Sequence, residues 1–336
     1  MERPGAAHPP PLPDAPRPPG LYIRAVSSDF EKGGPLAWGV DLGGTRCKVG
    51  VVDPAGAVLA ERRIPTLREP EAAVTSIARA CREVAEEAKV GIDRLGMGAP
   101  GPMRFEEGVI VHAPNLGWRD VPLRSMVAEA VGCPVVLEND ANVAALGEAW
   151  MGAGRGSNVL LLVTLGTGVG GGVVEKGRIF HGARGLAVEV GHEVVVPGGR
   201  PCPCGKRGCV EAYFSGHALT EQATERFQGG DPTQHRAIFE AYAAGDPEVV
   251  PWMDEAIDAL ARGVALAGVL FDPDLIVFTG GLARSWEVFA ERLVAGIEAE
   301  MGPAGPSADR IGLSALDGRA GVIGAARLAF DSGARR

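Results

Sequence analysis

The sequence predicts an α/β protein of two lobes built on related hairpins. Short apolar strands alternate with segments of helical periodicity, the pattern of layered α/β architectures. A layout of apolar run, glycine-rich turn and apolar run occurs twice, first around Asp41 to Thr45 and again around Thr164 to Thr167. A chain of 336 residues also suits two domains of ordinary size, each with its own core.

From Ala37 the runs WGV and KVGVVD flank DLGGTRC, and Val58 to Ile64 adds a third strand, which makes a β-meander. Pro70 then opens a helix, because Val74, Ile77, Ala78, Cys81, Val84, Ala85 and Ala88 recur at helical spacing. LGMGAP reads as a buried strand, Leu123 to Ala130 as a helix, and VVLEND as a strand followed by the helix former AALGEAW. LLLVTLGTGVGGGVV restarts the pattern. Ile257, Leu260, Ala261, Val264 and Val269 trace a later helix, Leu275 to Thr279 a strand, and Trp286 to Met301 another helix. Residues 1–35 are rich in proline with few apolar partners, so they read as a disordered tail.

With 33 Lys+Arg against 42 Asp+Glu, the net charge is −9, and no basic run offers a footprint for nucleic acid. No apolar run approaches the ~20 residues that cross a bilayer, so neither a membrane nor a nucleic acid is expected as a partner. A secretory layout is missing and the six cysteines do not form a disulfide framework, which points to a reducing cytoplasm. Cys47, Cys81 and Cys133 stand singly in apolar or helical surroundings and read as core residues.

Glycine-rich turns let several backbone N–H groups converge on one anion. Three qualify here: Asp41-Leu42-Gly43-Gly44-Thr45, Gly166-Thr167-Gly168 and Gly280-Gly281. Gly166, Gly168 and Gly171 also satisfy the dinucleotide fingerprint, but that motif requires a helix directly afterwards, and Gly172 to Glu175 reads as a strand. An NAD-dependent dehydrogenase is therefore disfavoured, and a nucleotide gripped between two lobes is favoured. Asp41 within a phosphate cradle suggests Mg²⁺ held through water, or else an Asx turn.

His192, Cys202, Cys204 and Cys209 supply one imidazole and three thiolates within a short Gly/Pro-rich stretch. That donor set closes a tetrahedral shell, as structural zinc requires; the alternatives are a redox pair, which would leave a thiol over, and unliganded thiols. Glu189 and Glu211 flank the cluster, either as ligands for a polyhydroxylated substrate or as ordinary surface acids. Asn139 and Asp140 end a strand at the place where α/β sheets hold ligands. Asp140 reads either as the cap of the following helix or as the base that takes a proton from an attacking alcohol, with Asn139 orienting the substrate.

Taken together, these motifs resemble the sugar kinases of the ROK family. The resemblance rests on Asp41 to Thr45, Gly98-Ala99-Pro100-Gly101, Ala113 to Trp118, Glu138-Asn139-Asp140-Ala141-Asn142 and Thr164 to Gly172. Glu189-Val190-Gly191-His192, the run from Cys202 to Glu211, and Thr279-Gly280-Gly281 extend it. It implies an actin-like ATPase (ribonuclease H-like) fold, two α/β lobes around a central cleft, with a structural zinc loop at 189–211. The small lobe would span 36–140 plus 318–334, and the large lobe 141–317. By the same resemblance, Asp41, Gly43, Gly44, Thr45, Lys48, Thr164, Gly166, Thr167, Gly168, Gly280 and Gly281 would hold ATP. Gly101, Asn115, Asn139, Asp140, Glu189, His192 and Glu211 would hold a hexose, with Asp140 as catalytic base.

The implied reaction is ATP-dependent phosphorylation of the 6-hydroxyl of a hexose, glucose above all. The implied cofactors are Mg²⁺ and structural Zn²⁺, and the implied assembly is a homodimer or homotetramer. Kinases of N-acetylmannosamine, N-acetylglucosamine, fructose or allose, and a non-catalytic sugar sensor, are the alternatives. Polyphosphate is the alternative donor. The family's repressors carry an N-terminal helix-turn-helix of which the Pro-rich start gives no trace, so a kinase is expected.

Overall fold

A computed structural model describes residues 36–226 and 235–333, and the Pro-rich segment expected to be disordered lies outside the described residues. The meander forms as β1 (Ala37–Leu42), β2 (Arg46–Val52) and β3 (Val58–Pro65), paired antiparallel in sequence. Helix α1 (Pro70–Ala88) follows, with Pro70 in its first turn and Lys89 left-handed at its end. Its buried stripe of Val74, Ile77, Cys81 and Val84 packs on the first sheet, and each Val or Ile buried there contributes on the order of 1.5–3 kcal/mol. Strand β4 (Leu95–Ala99) pairs parallel with β1. A small antiparallel sheet of β5 (Met103–Arg104), β6 (Val109–Ala113) and β7 (Trp118–Val121) was not predicted from the sequence, because the strands flanking β6 are too short to stand out as apolar runs. Helix α2 (Leu123–Val131) leads to β8 (Val135–Asn139), which runs parallel to β4.

Helix α3 (Asp140–Met151) then carries the chain to β9 (Val159–Leu165), β10 (Val169–Glu175) and β11 (Arg178–Ile179). The segment after Gly171 is thus a strand, as the sequence requires if no dinucleotide helix exists. Helices α4 (Gly216–Arg226), α5 (His235–Ala243) and α6 (Val250–Phe271) precede β12 (Leu275–Thr279). Helix α7 (Trp286–Met301), β13 (Ile311–Leu313) and α8 (Ala320–Gly333) complete the chain.

The first sheet has the order β3-β2-β1-β4-β8 and the second β11-β10-β9-β12-β13. Written by position of appearance, both are 3-2-1-4-5, an antiparallel meander continued by parallel strands. The repeated hairpins are therefore the visible part of a whole repeated sheet. Helices α3 and α8 pack against each other and against both sheets: α3 on β9, β10 and β4, α8 on β1 and β4. Gly324 lies against the Val143 carbonyl and Gly147 against the Ala320 carbonyl, so the two helices touch backbone to backbone. Glu148, fully buried near the end of α3, accepts from Ser314 Oγ at 2.5 Å and from the Ala153 N–H at 2.8 Å. One carboxylate thereby ties together the two chain segments that connect the sheets.

Candidate active site

The two hairpin turns are built alike. At the first, Gly43 N–H bonds the Arg46 carbonyl, while Thr66 bonds the Gly43 carbonyl through its hydroxyl at 2.8 Å and the Thr45 carbonyl through its N–H at 3.0 Å. At the second, Gly166 N–H bonds the Gly168 carbonyl, and the first turn of α4 donates Gly216 N–H to Gly166 and His217 N–H to Thr167. In each case a neighbouring segment occupies carbonyl oxygens that would repel an anion, and Thr45 and Thr167 stay exposed. The third turn joins the second: Gly280, at φ +107, lies against the Leu165 backbone, a position with no room for a Cβ. This follows from the pairing of Thr279 with Thr164 on parallel strands.

Asp140 sits between the two hairpins. From the first sheet, Gly98 lies against its Cα, and Asp41 pairs in register with Gly98. From the second, Gly170 and Gly172 pack on Ala141, the next residue, and the Gly170 N–H bonds Thr164 Oγ1 at 3.1 Å. Lys48 holds Asp41 with an ion pair of 2.9 Å. Gly44 faces Asn115 across van der Waals distance, and the left-handed Gly101 backs onto the His112 carbonyl.

The cap of α3 is Asn139 and not Asp140, which corrects one of the two roles the sequence left open for the acid. Asn139 has the extended backbone of an N-cap, and its Oδ1 accepts from Ala141 N–H at 2.9 Å and Asn142 N–H at 3.2 Å. Asp140 is thereby the first helical residue. Its carboxyl is pushed up to about 7, first by burial and then by the charge of Asp41, with Glu189 adding and the Ala141 N–H opposing. That position suits a group that must accept a proton near neutral pH.

Glu189 and His192 are brought together by a single 3-10 turn, Val190–His192, in which the His192 N–H bonds the Glu189 carbonyl. Burial raises the Glu189 carboxyl, His192 opposes the rise and Glu211 adds to it. Glu211 accepts from the Val169 N–H at 2.9 Å and so stands at the second hairpin. His192 Nδ1 and the Sγ atoms of Cys202, Cys204 and Cys209 all lie within 4.8 Å of one another. His192 Nδ1 is 3.7 Å from Cys202 Sγ, and Cys204 Sγ is 3.7 Å from Cys209 Sγ. A tetrahedral ion with ~2.3 Å bonds to sulfur demands edges of about 3.7 Å, so the donor set fits such an ion. Lys206 Nζ bonds the His192 carbonyl at 2.6 Å, and Arg200 lies over the Tyr213 ring and pairs with Glu255 at 2.6 Å. The cluster is thus held from both ends.

Sequence reasoning missed Thr66, Gly216 and His217, which act through backbone contacts that leave no residue-type signal. His181 was missed for another reason: it stands singly in a glycine-rich stretch, and only the fold brings it to Glu138.

Residues 37–332 match the model described as ROK family. A glucokinase of Halalkalibacterium halodurans is 36% identical over 304 residues, covering 85% of this chain and 92% of the relative. The crystal structure of a ROK family glucokinase from Streptomyces griseus in complex with glucose and AMPPNP superposes with a TM-score of 0.77 at 35% identity. It covers 88% of this chain and all of that one. An N-acetyl-D-glucosamine kinase of Yersinia pseudotuberculosis is 31% identical over 266 residues, 76% of this chain and 87% of the relative. Paired mixed sheets of one topology, the motifs that line them and these likenesses lead to one conclusion: the chain belongs to the ROK family.

Proposed function

We propose that this hexokinase-type kinase transfers the γ-phosphoryl group of ATP to the 6-hydroxyl of an aldohexose, with glucose as the preferred substrate. The observation that carries the reading is Asp140, flanked by two glycine-rich turns and with a carboxyl near 7. Asp41, Gly43, Gly44, Thr45 and Lys48 on one side, and Thr164, Gly166, Thr167 and Gly168 on the other, cradle the phosphates. Gly280 and Gly281 continue that surface toward the nucleoside. Gly101, Asn115, Asn139, Glu189, His192 and Glu211 bind the sugar. The cap uses Asn139 Oδ1, so its Nδ2 is the part of the amide that serves a ligand. Likewise His192 joins the cysteines through Nδ1, which leaves Nε2 for a hydroxyl.

In the reaction the sugar O6 gives its proton to the Asp140 carboxylate and bonds to the γ-phosphorus. The bond to the β,γ-bridging oxygen breaks, and its electron pair leaves with ADP. Positioning and charge neutralisation supply most of the acceleration. Asp41 would hold Mg²⁺, which would supply charge neutralisation at the phosphates. His192, Cys202, Cys204 and Cys209 would hold Zn²⁺, which would fix the loop that presents Glu189 and His192. Three thiolates kept free for a metal suit a reducing compartment.

A panel of hexoses and N-acetylhexosamines, each with ATP or polyphosphate, tests the reading through sugar phosphate formed. Glucose with ATP should give the highest kcat/KM. A preference for an N-acetylhexosamine, as the Yersinia relative's name would suggest, overturns the glucose assignment, and no turnover of any sugar overturns the whole.

A further inference from the structure

Glu138 is the residue before the Asn139-Asp140 pair, and its side chain is buried at 4% exposure. Its Oε1 accepts from the Asn139 N–H and from Asn142 Nδ2, both at 2.9 Å. Asn142 Oδ1 is buried without a partner among the described residues, so Glu138 is what orients that amide. The other oxygen of Glu138 meets His181 Nε2 at 2.6 Å, a short hydrogen bond. His181 belongs to the second sheet's side of the molecule: it follows β11 and begins the segment that ends at Glu189. Phe105, beyond β5 of the small sheet, meets the His181 ring edge to face at 5.4 Å, and Gly185 packs on Phe105. The Ala187 N–H closes the segment onto the His181 carbonyl at 3.3 Å.

We propose that His181 and Glu138 are a positioning pair that holds the Asn139-Asp140 turn in register with the Glu189-His192 turn. The pair spans the two sides of the site, two residues ahead of the acid at one end and eight residues ahead of Glu189 at the other. A buried carboxylate oxygen needs a hydrogen-bond donor, and His181 supplies the one on the second oxygen of Glu138, a bond that raises the His181 pKa against partial burial. Without His181, the second oxygen of Glu138 loses its partner and the side chain turns toward water. That change loosens its hold on the Asn139 N–H and on Asn142. Displacing a reacting group by ~1 Å costs on the order of 10²-fold in rate, so the effect reaches chemistry although neither residue touches substrate.

The inference rests on Asp140 as the base, and the test separates the two. His181→Ala, His181→Gln, Glu138→Gln and Asp140→Ala are compared with the wild-type full chain in steady-state kinetics for glucose and for ATP, with thermal melting in parallel. His181→Ala should lower kcat/KM for glucose on the order of ten-fold or more while KM for ATP stays within about two-fold. His181→Gln, which keeps a donor, should recover most of the loss, and Glu138→Gln should add little in the His181→Ala background. If Glu138→Gln fails to fold, the half-exposed His181 variants still decide. Wild-type kinetics in His181→Ala, or equal losses for both substrates that Gln does not repair, overturn the pair. Near-normal turnover in Asp140→Ala overturns the base assignment instead.

Discussion

Glu211 accepts a hydrogen bond from the Val169 N–H at 2.9 Å, and Gly168 lies against the same carboxylate. The turn that carries Cys209 and the hairpin that carries Thr167 are therefore one mechanical unit. Cys209→Ser should lower metal content per chain and weaken binding of a non-hydrolysable ATP analogue as well as of glucose. Metal content per chain and calorimetric titration with each ligand check this. Metal loss with unaltered analogue binding would show the two turns to be independent.

Burial and the neighbouring Asp41 both hold the Asp140 carboxyl up, at about 7. Turnover at saturating glucose and ATP should thus fall as pH drops through that value, because the protonated acid accepts no proton. Asp41→Asn removes the second of the two causes, so the acid limb of its residual activity should move to lower pH. A pH–kcat profile of both proteins reads the shift directly, and an unmoved limb would mean that another group controls it.

The same raised pKa bears on stability. A carboxyl whose folded pKa exceeds its unfolded value favours folding most when protonated, below the ordinary Asp range near ~4, and that contribution is lost as pH rises through the folded value. Asp140→Asn should therefore melt at a higher temperature than wild type at pH 8, with the gap closing toward pH 4. Melting curves across that window test it; a variant less stable at pH 8 contradicts the buried, like-charged surroundings drawn for this acid.

Packing between α3 and α8 leaves no room for a side chain at Gly324, where the obstacle is the Val143 backbone and not a flexible side chain. Gly324→Ala should destabilise the chain by at least about 2 kcal/mol by overpacking, despite the better helix propensity of alanine. Denaturant unfolding measures this, and a neutral or stabilised variant would mean that the helices separate freely.

Much of this arrangement was legible in the sequence because its signals are local. Apolar runs and helical periodicities located β1, β4, β8, β9 and β12 and the helices α1, α2, α6 and α7, but not β13, and the strand after Gly171 followed from the run Gly172 to Glu175. The His192 and cysteine cluster was legible because its four donors lie close in sequence, and the structure gathers them. What could not be read depends on contacts between distant segments. Asn139 and Asp140 both suit an N-cap by residue type, and only the end of β8 decides for Asn139. The strands that flank β6 in the small sheet run to only two and four residues, too short to stand out as apolar runs. The bond from His181 to Glu138 joins residues 43 positions apart that no motif links.

In the proposed reaction Asp140, between two glycine-rich turns, removes the proton of a hexose hydroxyl as phosphate is transferred. Turnover of glucose with ATP by Asp140→Ala, with affinity for a non-hydrolysable ATP analogue measured on the same preparation, tests this role. Turnover should fall on the order of 10²-fold or more with analogue binding largely kept. Turnover close to that of the wild type, with the analogue still bound, would contradict it.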